Sequence, residues 1–321
     1  MTDTVTTPAP ARRDALAPSA GAVPADAATR AAEAVRRRRS SAMRRYLRHP
    51  GFMIGAVLLV GLVVVAIAAP WIAPNPPLRT NMSAILAAPS WEYPLGTDQF
   101  GRCVASRLIY GARISLQVGF WVVLISLSFG TVIGAIAGYV GGLLERAIVA
   151  VIDIMLAFPG FLLALALVAA QGSSLASVIT AVAIAYTPRV ATVMRSVVLT
   201  IKPRPFIEAS RSIGSTSGRI LFTHVIPNAM PPVIVVATVS AATAILAEAG
   251  LSFLGLGVQP PTPTWGSVIA DGQAVITNRP LISIAAGLCI AVTVIALNLL
   301  GDGLRDNLDP QMRRQTGAKM L

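Results

Sequence analysis

The chain reads as an all-α membrane protein with six transmembrane helices and both termini on the cytoplasmic side. Three observations lead there. Of its 321 residues, 55% are hydrophobic and only 12% are charged, against about 25% charged in a soluble domain. The apolar residues gather in blocks long enough to cross a bilayer, for which a helix needs roughly 20 of them. The basic residues gather as well: ten of the 26 Lys and Arg precede His49, six lie between Arg189 and Arg219, and four follow Asp302. Basic residues collect beside the cytoplasmic ends of spans. A net charge of +12 would also suit an RNA-binding tail, but this distribution favours a role in topology beside anionic headgroups.

The elements follow in order. Residues 1 to about 35 are rich in Ala, Pro, Thr and Asp without apolar periodicity, which predicts a disordered cytoplasmic tail. The first apolar segment begins too far from the N-terminus for a signal peptide. The first span is "GFMIGAVLLVGLVVVAIAAPWIA", 51–73, ended by Pro74-Asn75-Pro76-Pro77. The second covers 114–140. The third, 147–170, holds Asp153 and Pro159 and is expected to kink. The fourth covers 174–199 and carries Pro188-Arg189; the fifth, 231–256, is interrupted by Glu248 and glycines; the sixth covers 281–301.

With the basic N-terminus inside, loops 74–113 and 257–280 face outward. Arg79, Arg102, Arg107, Arg113 and Arg279 then run against the rule, five outside against 21 inside. In the first outer loop, Thr97 or Asp98 is expected to cap a short interfacial amphipathic helix. Phe100, Val104 and Leu108 would form its apolar face, with Arg102 and Ser106 on another.

Several chemistries are missing from the chain. Its two lysines, Lys202 and Lys319, end no Gly-x-x-x-x-Gly-Lys loop, so any ATP that drives this protein is bound by another chain. No Ser/His/Asp order or paired-carboxylate motif stands out. His49 and His224 have no cysteine or acidic neighbours at ligand spacing, and neither a metal site nor a Cys103–Cys289 disulfide is expected.

Ionisable groups within spans are costly and often functional, which singles out Asp153, Arg189 and Glu248 for a pathway or gating role. Each also has a structural reading. Arg189 and Arg195 can snorkel from near the cytoplasmic end of the fourth span, Asp153 can pair with one of them, and Glu248 can pair with a partner subunit.

Between spans four and five lies "PFIEASRSIGSTSGRILFTHVIPNAMPP", 205–232. Pro205 suits the first turn of a helix, and Gly214 the position just past its end. Phe206, Ala209, Ser210 and Ile213 share one face, with Glu208 and Arg211 on the other side. A helix of about two turns is unstable alone in water, so packing against its own protein or a partner must hold it. "RILFTHVIPNAMPP" predicts a second short helix, broken by Pro227 and Pro231-Pro232.

This segment resembles the signature of the integral-membrane subunits of ATP-binding-cassette importers: Glu-Ala-Ala, three residues, Gly, nine residues, then Ile-x-Leu-Pro. Here it runs Glu208-Ala209-Ser210, three residues, Gly214, nine residues, then His224-Val225-Ile226-Pro227. "PLGTDQFGR", "SRLIYGARISLQVG", "EAGLSFLGLGVQPPTPTWG" and "LNLLGDGLRDNLDP" are similar to the C-type permease subunit of the dipeptide, oligopeptide and nickel branch. The likeness covers about 44–312. Cys103 departs from it, standing where that branch usually has Asp.

The resemblance implies the type I ABC importer transmembrane fold. It divides the chain into a tail at 1–43, the first span with its outer loop at 44–111, a five-helix transmembrane domain at 112–301 with a coupling loop at 201–230, and a cytoplasmic tail at 302–321. It implies that Phe206, Glu208, Ala209, Ser210, Ile213, Gly214, His224, Ile226 and Pro227 couple the permease to an ATPase. The implied partners are a second homologous permease, two ATPase domains that bind ATP and Mg, and an external substrate-binding protein met by loop 257–280 with Pro260-Pro261 and Trp265. This chain itself would carry no cofactor and no catalytic residue. Short peptides are the expected cargo, with nickel, glutathione or another small solute as the alternative. An ion-coupled secondary transporter is the remote reading from a different class.

Overall fold

The computed structural model describes residues 49–308; the tail expected over 1–43 and the C-terminal tail beyond residue 308 lie outside them. His49 starts the first helix. Its ring Nδ1 accepts from the Phe52 N–H at 3.2 Å, and Pro50 occupies the first turn, where no N–H is needed. With Nδ1 accepting, Nε2 carries the proton and donates to Asp306 at 3.0 Å, tying the start of the first helix to the end of the last.

Helix α1 (Pro50–Ile67) continues through the short α2 (Ala69–Ile72) into the Pro-rich turn. The second span is α3 (Val104–Val140), 37 residues, or about 56 Å at 1.5 Å per residue. It starts well before residue 114, and this changes the expected interfacial helix. There is no separate element: Val104 to Leu108 form the first turns of α3, and Val104, Ser106, Arg107 and Leu108 are all buried. Asp98 does not cap it; Cys103 is its N-terminal flanking residue and makes no side-chain cap.

The third span breaks more sharply than a kink. Helices α4 (Gly142–Leu156) and α5 (Gly160–Gln171) meet at 89° across Pro159. Proline cannot donate, and it disfavours helical backbone in the residue before it, so the axis turns there. The pair still travels the length of its neighbour α6 (Leu175–Ile201). Glu145 bonds Arg195 near the end of α6, and Gln171 accepts from Thr180 near its start. A re-entrant loop would return to the side it left, whereas this pair joins opposite ends of α6.

Beyond α6 come α7 (Pro205–Ser212), α8 (Ser217–Ile220), a π-turn at Leu221–Val225 and α9 (Ile226–Phe253). The expected break at Pro227 and Pro231-Pro232 does not occur: helix runs from Ser217 to Phe253. The widened π-turn just before Pro227 relaxes the clash a proline ring makes with the preceding turn. The Asn228 side chain caps the His224 carbonyl at 2.6 Å. Helices α10 (Trp265–Gln273) and α11 (Leu281–Leu308) complete the chain, α11 reaching past residue 301. Among the described residues there is no strand.

Helix α3 is central, with α6 and α9 beside it. It meets α6 along Gly130, Gly134 and Gly138, one per turn. A Cβ at Gly134 would stand 2.2 Å from the Ala191 carbonyl oxygen and 2.8 Å from Met194 Cβ. Small residues at four-residue spacing let helix backbones approach this closely. Toward the α7 end of this seam, Tyr139, Met194, Val198, Ile201 and Val225 form one buried cluster.

Candidate functional site

Helix α7 has the expected bounds. Pro205 opens it, and Gly214 takes the left-handed conformation at φ +81. The Gly214 N–H bonds the Arg211 carbonyl at 2.9 Å, and the Ser215 N–H bonds the Ser210 carbonyl at 3.1 Å. This double closure satisfies carbonyls that a helix end leaves open.

What holds α7 was not read from the sequence. Ile207, 0% exposed, is its one buried residue and joins the cluster with Tyr139, Val198, Ile201 and Ile220. The face expected to pack is turned outward: Phe206 and Ala209 are exposed, Ile213 is 82% exposed, and Ser210 is half-buried. Glu208 is exposed, and a Cβ at Gly214 would meet nothing within 4 Å. Ile226 and His224 are half-buried at the π-turn, and Pro227 is exposed. An isolated apolar side chain at a surface is ordinary. Ile207 is thus the one buried anchor of α7, with the Arg211 guanidinium 6.0 Å from the centre of the Tyr139 ring, while Phe206, Ala209 and Ile213 face outward.

The intramembrane ionisable groups separate. Arg195 pairs with Glu145, Nη2 to Oε1 at 2.6 Å, and not with Asp153. Asp153 on α4 and Arg189 on α6 are exposed and make no ion pair among the described residues. Arg189 stands twelve residues before Ile201, about 18 Å along the helix, so it is mid-span rather than near the end. Glu248, 0% exposed, lies inside the chain, accepting from Ser115 at 3.0 Å and Ser252 at 2.7 Å.

Three of the five arginines expected on the outer side, Arg102, Arg107 and Arg279, are bonded within the chain. Asp98 accepts from the Phe100 and Arg102 N–H groups, from Arg102 Nε at 2.7 Å and from Arg107 Nη1 at 2.7 Å. Asp271 on α10 accepts from the same Arg107 nitrogen at 2.7 Å and from Arg102 at 3.1 Å. Two guanidinium groups face two carboxylates, so the cluster is neutral, and Arg279 donates to the Leu86 carbonyl. Trp265 is 1% exposed, its indole N–H donating to the Leu108 carbonyl at 3.0 Å. It packs within the chain and is not available to an external protein.

Comparison with known proteins agrees with this architecture. Residues 130–314 match the model for the inner membrane component of binding-protein-dependent transport systems, and 39–89 match the N-terminal transmembrane domain of oligopeptide transport permease C. The chain is 43% identical to the dipeptide transport system permease DppC of Alkalihalophilus pseudofirmus, over 81% of this chain and 86% of that protein. It is 42% identical to the glutathione transport system permease GsiD of Escherichia coli, over 84% and 89% respectively. Among solved structures, an inward-facing form of the MetNI methionine ABC transporter aligns with a TM-score of 0.54 at 19% identity, covering 63% of this chain and 96% of that one. The fold is that of type I ABC importer transmembrane subunits.

Proposed function

Because the chain belongs to the inner membrane components of binding-protein-dependent transport systems, we propose that it forms half of a peptide translocation pathway and receives the force of ATP hydrolysis through α7. The observation that carries this reading is the asymmetry of α7. Ile207 fastens the helix to the ends of α3 and α6, while Phe206, Ala209 and Ile213 are left for a socket on an ATPase subunit. Glu208 and Ser210 border that face, Gly214 keeps its end clear, and His224, Ile226 and Pro227 form the hinge into α9. A docked helix supplies different contacts in the two states of the ATPase dimer, as a switch requires. Through Ile207 its displacement reaches the glycine seam of α3 and α6.

ATP and Mg then belong to two partner ATPase domains, and this chain supplies no catalytic group. A second permease completes the pathway, an external binding protein delivers cargo, and both termini lie in the cytoplasm. The dipeptide permease likeness supports short peptides. The glutathione permease, almost equally similar, keeps a peptide-like solute as the second reading of cargo; nickel is a weaker one.

The test uses the assembled importer. Gly214→Trp is expected to co-purify with its partners but to lose peptide-stimulated ATP hydrolysis. Gly214→Asn, which tolerates the left-handed conformation, is expected to keep it. Normal coupling in the Trp variant refutes α7 as the docking helix.

A further inference from the structure

We infer that Tyr139 is the positioning residue through which movement of α7 reaches the spans, the Arg211 guanidinium of α7 acting on its ring. The inference rests on the reading of α7 as the helix that receives force, and names the contact that passes the force on.

Tyr139 is the last residue but one of α3, beside Gly138 of the glycine seam. It is buried in the cluster that holds Ile207, Val198 and Ile201. Ile207 and Arg211 stand four residues apart on α7 and so share one face of it. Ile207 enters the cluster, and Arg211 stays exposed with its guanidinium carbon 6.0 Å from the centre of the Tyr139 ring. Lys202, the residue that closes α6, brings its ammonium to 5.9 Å from the same centre. One ring on α3 thus meets a cation from the end of α6 and another from α7. Neither cation makes an ion pair among the described residues, and the Glu145 carboxylate on this side bonds Arg195 instead.

The distances suit a contact that registers movement. A cation is attracted to an aromatic face within about 6 Å of its centre, and Arg211 stands at that limit. A small displacement of α7 toward or away from α3 therefore gains or loses the contact. Burial of Ile207 is non-directional and holds the helix without fixing its direction. A contact made in one state and lost in the other is what a switch requires, and one of this strength shifts a two-state balance by about twofold to thirtyfold. One residue from the ring, a Cβ at Gly138 would stand 2.9 Å from the Arg195 carbonyl oxygen. The backbones of α3 and α6 meet there, so a push on Tyr139 is borne by both spans. The Tyr139 hydroxyl is buried without a hydrogen-bond partner among the described residues, which leaves the ring as the part that makes the contact.

The experiment reconstitutes the whole importer with its external binding protein in proteoliposomes. It measures ATP hydrolysis together with uptake of tritiated dialanine or tritiated glutathione, whichever the wild type takes up. The readout is ATP hydrolysed per solute delivered, a ratio that loss of folded protein leaves unchanged. Tyr139→Leu, which keeps the position apolar and removes the ring, is expected to raise the ratio about twofold to thirtyfold. Arg211→Gln, at an exposed position where folding is not at stake, is expected to raise it as well, and to add nothing in the Tyr139→Leu background. Tyr139→Phe and Arg211→Lys are expected to stay near the wild type. Lys202→Gln is expected to change the ratio less than Arg211→Gln, since α6 already meets α3 along the seam. An unchanged ratio in Arg211→Gln overturns the inference. So does a rise in Tyr139→Phe equal to that in Tyr139→Leu, and so do additive effects in the double variant. Normal coupling in Gly214→Trp removes the reading of α7 and this inference together, whereas lost coupling there with a normal ratio in Arg211→Gln removes this inference alone.

Discussion

Replacing Gly134 by alanine tests how closely α3 and α6 are packed. The new Cβ would stand 2.2 Å from the Ala191 carbonyl oxygen and 2.8 Å from Met194 Cβ. Ordinary carbon–oxygen contact is about 3.3 Å, so α3 and α6 must separate by roughly 1 Å at that turn. Neither helix can tilt away locally, because a Cβ at Gly130 or Gly138 would also lie under 3 Å from α6, at 2.6 Å from Val190 and 2.9 Å from the Arg195 carbonyl. Overpacking of this kind costs about 1–3 kcal/mol. On the scale of a domain of 150–250 residues that lowers Tm by about 2–12 °C.

The assay is thermal unfolding of the detergent-solubilised importer followed through this subunit, with Gly287→Ala as the control. Gly287 lies in α11 and has nothing within 4 Å of its built Cβ, so alanine there gains up to about 1 kcal/mol of helix propensity and Tm should hold or rise. An unchanged Tm in Gly134→Ala, or an equal fall in Gly287→Ala, refutes the seam as a close-packed contact.

Two further outcomes are expected. Asp98→Asn removes a carboxylate shared by Arg102 and the buried Arg107, and breaking a buried pair costs about 3–5 kcal/mol. It should therefore lower Tm more than Asp271→Asn does, since the Asp271 side chain is 26% exposed; the reverse order would show that the cluster is not anchored on Asp98. Glu248→Gln keeps an acceptor for the Ser115 and Ser252 hydroxyls and is expected to transport normally. Glu248→Leu strands those hydroxyls at a cost of about 1–3 kcal/mol, read as lower yield and Tm. A dead but stable Gln variant would instead assign Glu248 to the pathway.

The spans were legible because hydropathy follows local composition: four of the six expected spans start within five residues of α1, α6, α9 and α11. Helix α7 was legible for the same reason, since Pro205 and Gly214 punctuate it wherever the rest of the protein lies. Its orientation was not. An eight-residue helix with apolar residues at 206, 207 and 209, and another at 213 just past its end, offers two stripes, and only the tertiary fold selects Ile207 for burial. Pro159 announced a bend but not its angle, and Pro227 announced a break that the preceding π-turn absorbs. The close contact of Gly130, Gly134 and Gly138 with α6 was not read from the sequence, where nothing nearby says that α6 is the partner. The Asp98–Arg107–Asp271 cluster was out of reach, because it joins residues 164 apart in the chain.

The division of α7 into one buried residue and an outward face has an evolutionary consequence. Ile207 answers to the interior of this chain, whereas Phe206, Ala209 and Ile213 answer to whatever lies outside it. The two sets of residues share a helix but not a constraint. Changes on the outward face can accumulate without destabilising the spans, and the spans can drift without altering that face.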